Sequence, residues 1–247
     1  IQLTEQEAQI IEQYSEIGKG HNDGLTELYT FINGQRAAEI TTEQRLDLIN
    51  EYYGLTGEEK YITMKYSIGR SASSPSLVKE ISEQEVYSDG IITNEVQQYL
   101  LKIEELLLNA TGSYDDIMNN IILIEKDAMS SLSDIDLSLV MGYAETAKSS
   151  ISYWKSELST ENVGRNVVDN LKLAAIIASS DAAGTLTGMA AANVFLQATR
   201  YIIPNFPEMV GIACGIISSA NAAETGRFCC IIDVQGIIER ILKKYGL

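Results

Sequence analysis

The sequence holds one histidine, three cysteines and three prolines. A single histidine excludes metal sites that need two, the HExxH helix among them. Cys214, Cys229 and Cys230 make no disulfide framework. Cys229 and Cys230 are neighbours, so a bridge between them would be strained, and they lack the C-x-x-C spacing of redox or zinc sites. One of them could pair with Cys214, but burial as small apolar residues is the preferred reading. So few prolines leave long stretches free to be helical. Cations are scarce as well: 18 Lys and Arg stand against 34 Asp and Glu, a formal charge of −16, and no basic run exceeds Lys243-Lys244. Such a polyanion is poorly suited to phosphate backbones or anionic bilayers, so no nucleic-acid partner is expected.

What is present is mostly helical periodicity in a chain of 247 residues, 45% of them hydrophobic. That is enough for a substantial core, and a single helical domain over 1–247 is expected, with 1–90 its less certain N-terminal part. "LTEQEAQIIEQY" opens with Thr4 and Glu7 at capping-box spacing, then Ile10 and Ile11 on one face. "TTEQRLDLINEYYG" repeats the plan with Thr41, Gln44 and a closing Gly54. From Ile92 onward Val96, Tyr99, Leu100, Ile103, Leu106 and Leu107 form an amphipathic stripe. Ser113 caps a helix with Asp115 and Asp116 in its first turn. After Asp134, the residues Val140, Ala144, Ala147, Ile151, Trp154 and Leu158 give a long near-heptad stripe. Residues 54–58 and 69–76 read as loops, and "KYITMKYSI" as a candidate short strand. No period of 20–50 residues recurs, which argues against a solenoid.

Between Leu171 and Ala223 alanine, glycine, serine and threonine take over. Ser180, Gly184, Gly188 and Ala192 are spaced by four, and so are Gly211, Gly215, Ser219 and Ala223. Pro204 and Pro207 stop one helix and help start the next, with Asn205 and Glu208 at capping-box spacing. The expectation is a helical hairpin over 164–223 whose arms touch along these two ridges, because ridges spaced by four interdigitate and small side chains let backbones approach. Interior glycines cost roughly 1 kcal/mol each against alanine, and close contact is the natural offset. Small-xxx-small spacing is also a transmembrane motif. However, the uncharged runs 182–199 and 209–223 are polar in places and fall short of the roughly 20 apolar residues a span needs. A helix contact inside a core is preferred, with no stable transmembrane span and with conditional insertion as the alternative.

"YSEIGKGHNDGLTELYTFI", "AAIIASSDAAGTLTGMAA" and "MVGIACGIISSANAAE" together resemble a set of uncharacterised proteins from Bacteroidota, many of them exported or predicted lipoproteins. The matching positions are His21, Asn22, Leu25, Asp181, Gly184, Gly188, Gly211, Gly215 and Ser219; Ser180 stands where the pattern often has alanine. The resemblance implies export, to the periplasm, the surface or the medium, and says nothing of activity. The chain begins at Ile1 rather than Met, as expected of a processed or trimmed product, and any signal peptide would lie outside it.

The search for chemistry returns little. Gly18, Gly20 and Gly24 belong to no phosphate loop. Asp134 and Asp136 lack the rest of an EF-hand, and a solvated helix start is the better reading. Asn109-Ala110-Thr111 is a glycosylation sequon wherever the machinery exists. His21 reads as a capping or turn element among glycines. Asp181 reads either as a cap after a kink at Ser179-Ser180, or as a buried carboxylate held by backbone N–H groups, or as part of a polar site between the hairpin arms. The two are the candidate polar-site residues; no catalytic, metal or cofactor residue is assigned. The expected protein is an all-α multi-helix bundle around a central small-residue hairpin, acting as a non-enzymatic exported or surface-associated binding or structural module with a protein or glycan partner. The alternatives are a membrane-active protein whose hairpin inserts into a bilayer and an acid-based enzyme.

Overall fold

A computed structural model describes residues 1–35, 76–82, 91–161, 167–200 and 204–225, with 44, 48, 51, 242 and 243 as isolated helical positions. Among the described residues there are seven helices and no strand, so the chain is an all-α multi-helix bundle. The helices are α1 Glu5–Gln35, α2 Leu77–Ser82, α3 Asn94–Leu108, α4 Tyr114–Ser131, α5 Asp134–Glu161, α6 Val167–Thr199 and α7 Phe206–Thr225. The loop read at 54–58, all but Ser76 of the loop read at 69–76, the strand "KYITMKYSI" and nearly all of the helix at 41–54 lie outside the described residues, as do Cys229 and Cys230.

Local chemistry sets several helix starts. Glu7 N donates to Thr4 Oγ1 at 3.2 Å, and Thr4 N donates back to the Glu7 carboxylate at 2.7 Å, a complete capping box. Thr93 caps α3 by accepting from Val96 N. Ser113 and Asp116 form a second box at the start of α4. The six-residue α2 is capped from another helix: Leu77 N donates to Glu104 Oε1 of α3 at 2.6 Å, Val78 N to the same oxygen at 3.3 Å, and Ser76 Oγ to Oε2. A buried carboxylate there accepts otherwise orphaned N–H groups and meets the positive end of the helix.

The amphipathic stripes turn inward. Val96, Tyr99, Leu100, Ile103 and Leu107 of α3 are buried, with Leu106 half-buried, and so are Val140, Ala144, Ala147, Ile151, Trp154 and Leu158 of α5. α6 packs most extensively on α7 and α5; α1 lies along α5 and α7, and α3 bridges α4, α5 and α6. The α6–α7 hairpin is therefore wrapped by helices whose other faces meet water. Its far end has a smaller core of Ala192, Phe206, Val210, Cys214 and Ile217, where the Phe195 and Phe206 rings lie 5.8 Å apart.

Three local expectations are corrected. α1 runs unbroken through Gly18, Gly20, His21 and Gly24, so His21 is a mid-helix residue and not a turn or cap. α6 is continuous through Ser179, Ser180 and Asp181, so Asp181 caps nothing. Asn205 precedes α7 with φ 56°, in the left-handed region, and not in the extended conformation of a capping-box residue. Arg200 takes a similar φ of 59° just after α6 and donates its N–H to Leu196 O, the left-handed stop usually made by glycine.

Candidate functional site

Contact between the hairpin arms begins at the glycines. A Cβ on Gly184 would lie 2.6 Å from Ser218 Cβ and 2.8 Å from Cys214 O; one on Gly188 would lie 2.7 Å from Val210 O and 2.9 Å from Gly211 Cα. Gly211 and Gly215 close on Thr185 from the opposite side. Ser180 Oγ meets Ser218 Oγ at 3.0 Å, and Ser218 donates to Ser180 O at 2.9 Å. Ala192 belongs to the far-end core, Ser219 turns toward α5, and the Ala223 side chain lies outside the described residues. Three glycines of α1 do for it what those four do for the hairpin: Gly18 seats Ser149 and the Glu145 carbonyl of α5, while Gly20 and Gly24 seat Ile212 and Ile216 of α7.

These approaches bring His21 of α1 and Asp181 of α6 together. His21 Nε2 lies 3.6 Å from Asp181 Oδ2, and neither side chain is exposed at all. α5 and α7 complete the arrangement. Ser150 Oγ donates to Asp181 Oδ2, Ser219 Oγ donates to the same oxygen at 2.8 Å, and the Trp154 indole N–H donates to Ser219 Oγ at 3.0 Å. Asp181 is thus held by hydroxyls from two other helices. Asn22 Nδ2 donates to Ser149 O at 2.9 Å, which fixes the amide and leaves Asn22 Oδ1 as an acceptor for His21 Nδ1 at 3.2 Å. An amide oxygen cannot donate, so Nδ1 carries the ring proton. In the neutral ring Nε2 is then a lone pair pointed at a carboxyl oxygen. Neither Nε2 nor Asp181 Oδ1 has a hydrogen-bond partner.

The electrostatics follow from burial. Burial pushes the Asp181 carboxyl up to about 7 against the pull of the Ser150, Ser219 and Trp154 donors. Burial takes the His21 imidazole down to about 4, although Asn22 and the Gly215 backbone favour its charged form. One proton between the two groups keeps the pair neutral.

A second cluster was not legible in the sequence. Lys148 Nζ donates to Glu125 Oε2 at 2.8 Å and to Glu145 Oε1 at 2.7 Å, joining α4 and α5. One lysine cannot neutralise two buried carboxylates. Burial pushes Glu125 up to about 8, opposed by Lys148 and reinforced by Glu145, and Glu145 is also raised by its burial. Burial pulls Lys148 down, but the two carboxylates outweigh it and hold it above its ordinary value. Glu145 and Lys148 sit at i,i+3 spacing, but Glu125 comes from another helix, and spacing alone cannot reveal that.

Asp134 and Asp136 lie in the first turn of α5, where Ser133 Oγ donates to Asp136 Oδ2 at 3.1 Å. Among the described residues no group of three His, Cys, Asp or Glu side chains is placed to hold a metal ion, and Cys214 is buried and outside any disulfide. A solvent-open cleft of about 350 Å³ lies between α3 and α4, lined by Lys102, Leu106, Asn120, Leu123, Ile124 and Asp127. Comparison of the chain with protein-family models, with curated proteins and with solved structures finds no match.

Proposed function

We propose that this protein is a non-enzymatic helical module, exported or surface-associated, that acts by presenting its exterior to a protein or glycan partner. The observation that carries this reading is the sealing of the polar centre. His21, Asp181, Ser150 and Ser219 are the residue types from which a hydrolytic site is built, yet all four are fully or almost fully removed from solvent. Ser150 and Ser219 spend their hydroxyl hydrogens on Asp181, and the one hydrogen bond of the His21 ring goes to Asn22. No hydroxyl is activated by the histidine, because Ser150 and Ser219 both point at the carboxylate. Export rests on the resemblance to Bacteroidota proteins, and the acidic composition suits a solvated exterior.

A serine-directed fluorophosphonate tests the enzymatic alternative directly. The folded protein should remain unlabelled at Ser150 and Ser219, and stoichiometric labelling of either would overturn the reading. Fractionation of cells making the full precursor tests export; retention in the cytoplasm would remove that part.

One observation favours a second reading. Asn170–Thr199 is long and apolar enough to cross a membrane, with mean hydropathy 1.2, and 89% of its apolar window is buried within the bundle. A core helix passes the same test, so the membrane-active alternative requires the bundle to open. Dye release from phosphatidylcholine–phosphatidylglycerol vesicles distinguishes the two. No release between acid and neutral pH supports the binding module, and release that is abolished by Gly184→Leu in a protein that still folds supports insertion.

A further inference from the structure

We infer that the His21–Asp181 contact is a pH-sensitive latch that fastens α1 to the α6–α7 hairpin and loosens when the proton between them is lost. Geometry carries this. Asn22 fixes the Nδ1–H tautomer, so the neutral ring offers Asp181 only the Nε2 lone pair. A protonated carboxyl or a protonated ring makes that approach favourable. With the proton gone, a lone pair faces a carboxylate at 3.6 Å in a site without water access. The two hydroxyl donors on Oδ2 then remain, and Oδ1 has no partner to take up the added charge.

No other charge stands ready to compensate. On α5 the neighbours are Ser150 and Trp154, with Tyr143 elsewhere on the same helix, and Lys148 and Glu145 are engaged with Glu125 of α4. On α7 the neighbour is Ser219; the Cys214 thiol faces Gly188, and Glu208 lies at the start of that helix near Tyr14 of α1. On α1, Glu16, Lys19, Asp23 and Glu27 point outward. The two buried titratable residues of α3 are engaged elsewhere: Glu104 caps α2, and Tyr99 donates its hydroxyl to Asp127 of α4. The latch also sits beside a close approach, since a Cβ on Gly215 would lie 3.2 Å from His21 Cδ2, so a small shift of the ring is felt by α7.

The two groups act in opposite directions on stability. Asp181, raised from 3.8 to about 7, contributes stability that is full in acid and lost as pH rises through that interval. His21, lowered from 6.5 to about 4, contributes stability that is full above 6.5 and lost as pH falls through that interval. Between about pH 4 and 6.5 the two slopes cancel in the wild type.

The test measures unfolding midpoints across pH for wild type, Asp181→Asn and His21→Gln, each compared with wild type so that the general charge of the chain drops out. Relative to wild type, the folded-to-unfolded ratio should rise with pH in Asp181→Asn and fall with pH in His21→Gln, by up to about tenfold per pH unit between 4 and 6.5. Parallel profiles for all three proteins would overturn the inference. A readout on the wild type alone guards against variants that do not fold. Trp154, the single tryptophan, touches the latch through Ser219, so its emission should change on passing from pH 6 to pH 8.5, with faster amide exchange in α1 around His21. Unchanged emission and exchange across that range would equally reject the latch.

Discussion

Trp154 donates its indole hydrogen to Ser219, and Ser219 donates its own hydroxyl hydrogen to Asp181, so the orientation of one small hydroxyl satisfies two helices at once. Ser219→Ala deprives the indole of its acceptor and the carboxyl of a donor in a buried site. The expected loss is about 1–3 kcal/mol in urea or guanidinium unfolding. Trp154→Phe should cost less once Ser219 is already alanine than it does in the wild type, because both changes break one chain of bonds. Strict additivity in that double-mutant cycle would show that the chain carries no coupling.

The hairpin contact is tested at Gly188. Any side chain there meets the Val210 carbonyl and the Gly211 backbone, neither of which can move without displacing α7. Gly188→Ala should lose stability although alanine is the better helix former, and Gly188→Val should lose more, in the range of about 1–3 kcal/mol or beyond typical of overfilled cores. A thermal melt unmoved by valine would contradict the contact.

The Glu125–Lys148–Glu145 cluster makes an opposite pair of predictions. Lys148→Met leaves two buried carboxylates without a cation and should cost about 3–5 kcal/mol at pH 8. Glu125→Gln keeps the shape of the protonated acid. Glu125 is raised from 4.5 to about 8, so its contribution is full in acid and lost as pH rises through that interval. The glutamine variant should therefore gain on the wild type as pH rises from 5 to 9. Chemical unfolding at those two values checks it, and a constant difference would refute the assignment.

Glu104 offers a local test. Glu104→Gln retains one acceptor oxygen where Ser76, Leu77 and Val78 all donate, and Glu104→Ala retains none. Amide exchange of Leu77 and Val78 should accelerate in both variants, most in the alanine, while exchange in α4 stays unchanged. Equal protection in alanine and wild type would mean that α2 holds without its cap.

The features legible in the sequence were those with a short-range cause. The boxes at Thr4 and Ser113, the α3 and α5 stripes and the two small-residue arms are written in residues three or four apart. Where the reading failed, tertiary contact overrode local propensity. Gly18, Gly20 and Gly24 look like helix breakers, and only the presence of Ser149, Ile212 and Ile216 against them explains why α1 continues. His21 and Asp181 both read as polar-site candidates, but nothing in their local sequence says that α1 and α6 meet. The caps supplied by Glu104 and the sharing of Lys148 are likewise agreements between distant helices, with no spacing to announce them.

The glycines of α1 bear on how the chain is assembled. A helix that carries four of them has little reason to persist alone, and the surfaces that reward it are residues 145–149 and 212–216. During synthesis α1 leaves the ribosome long before α7 has been made. Residues 145–149 reach it first, but its docking surface is complete only once residues 212–216 have appeared, so the packing of α1 is finished only when α7 has been made.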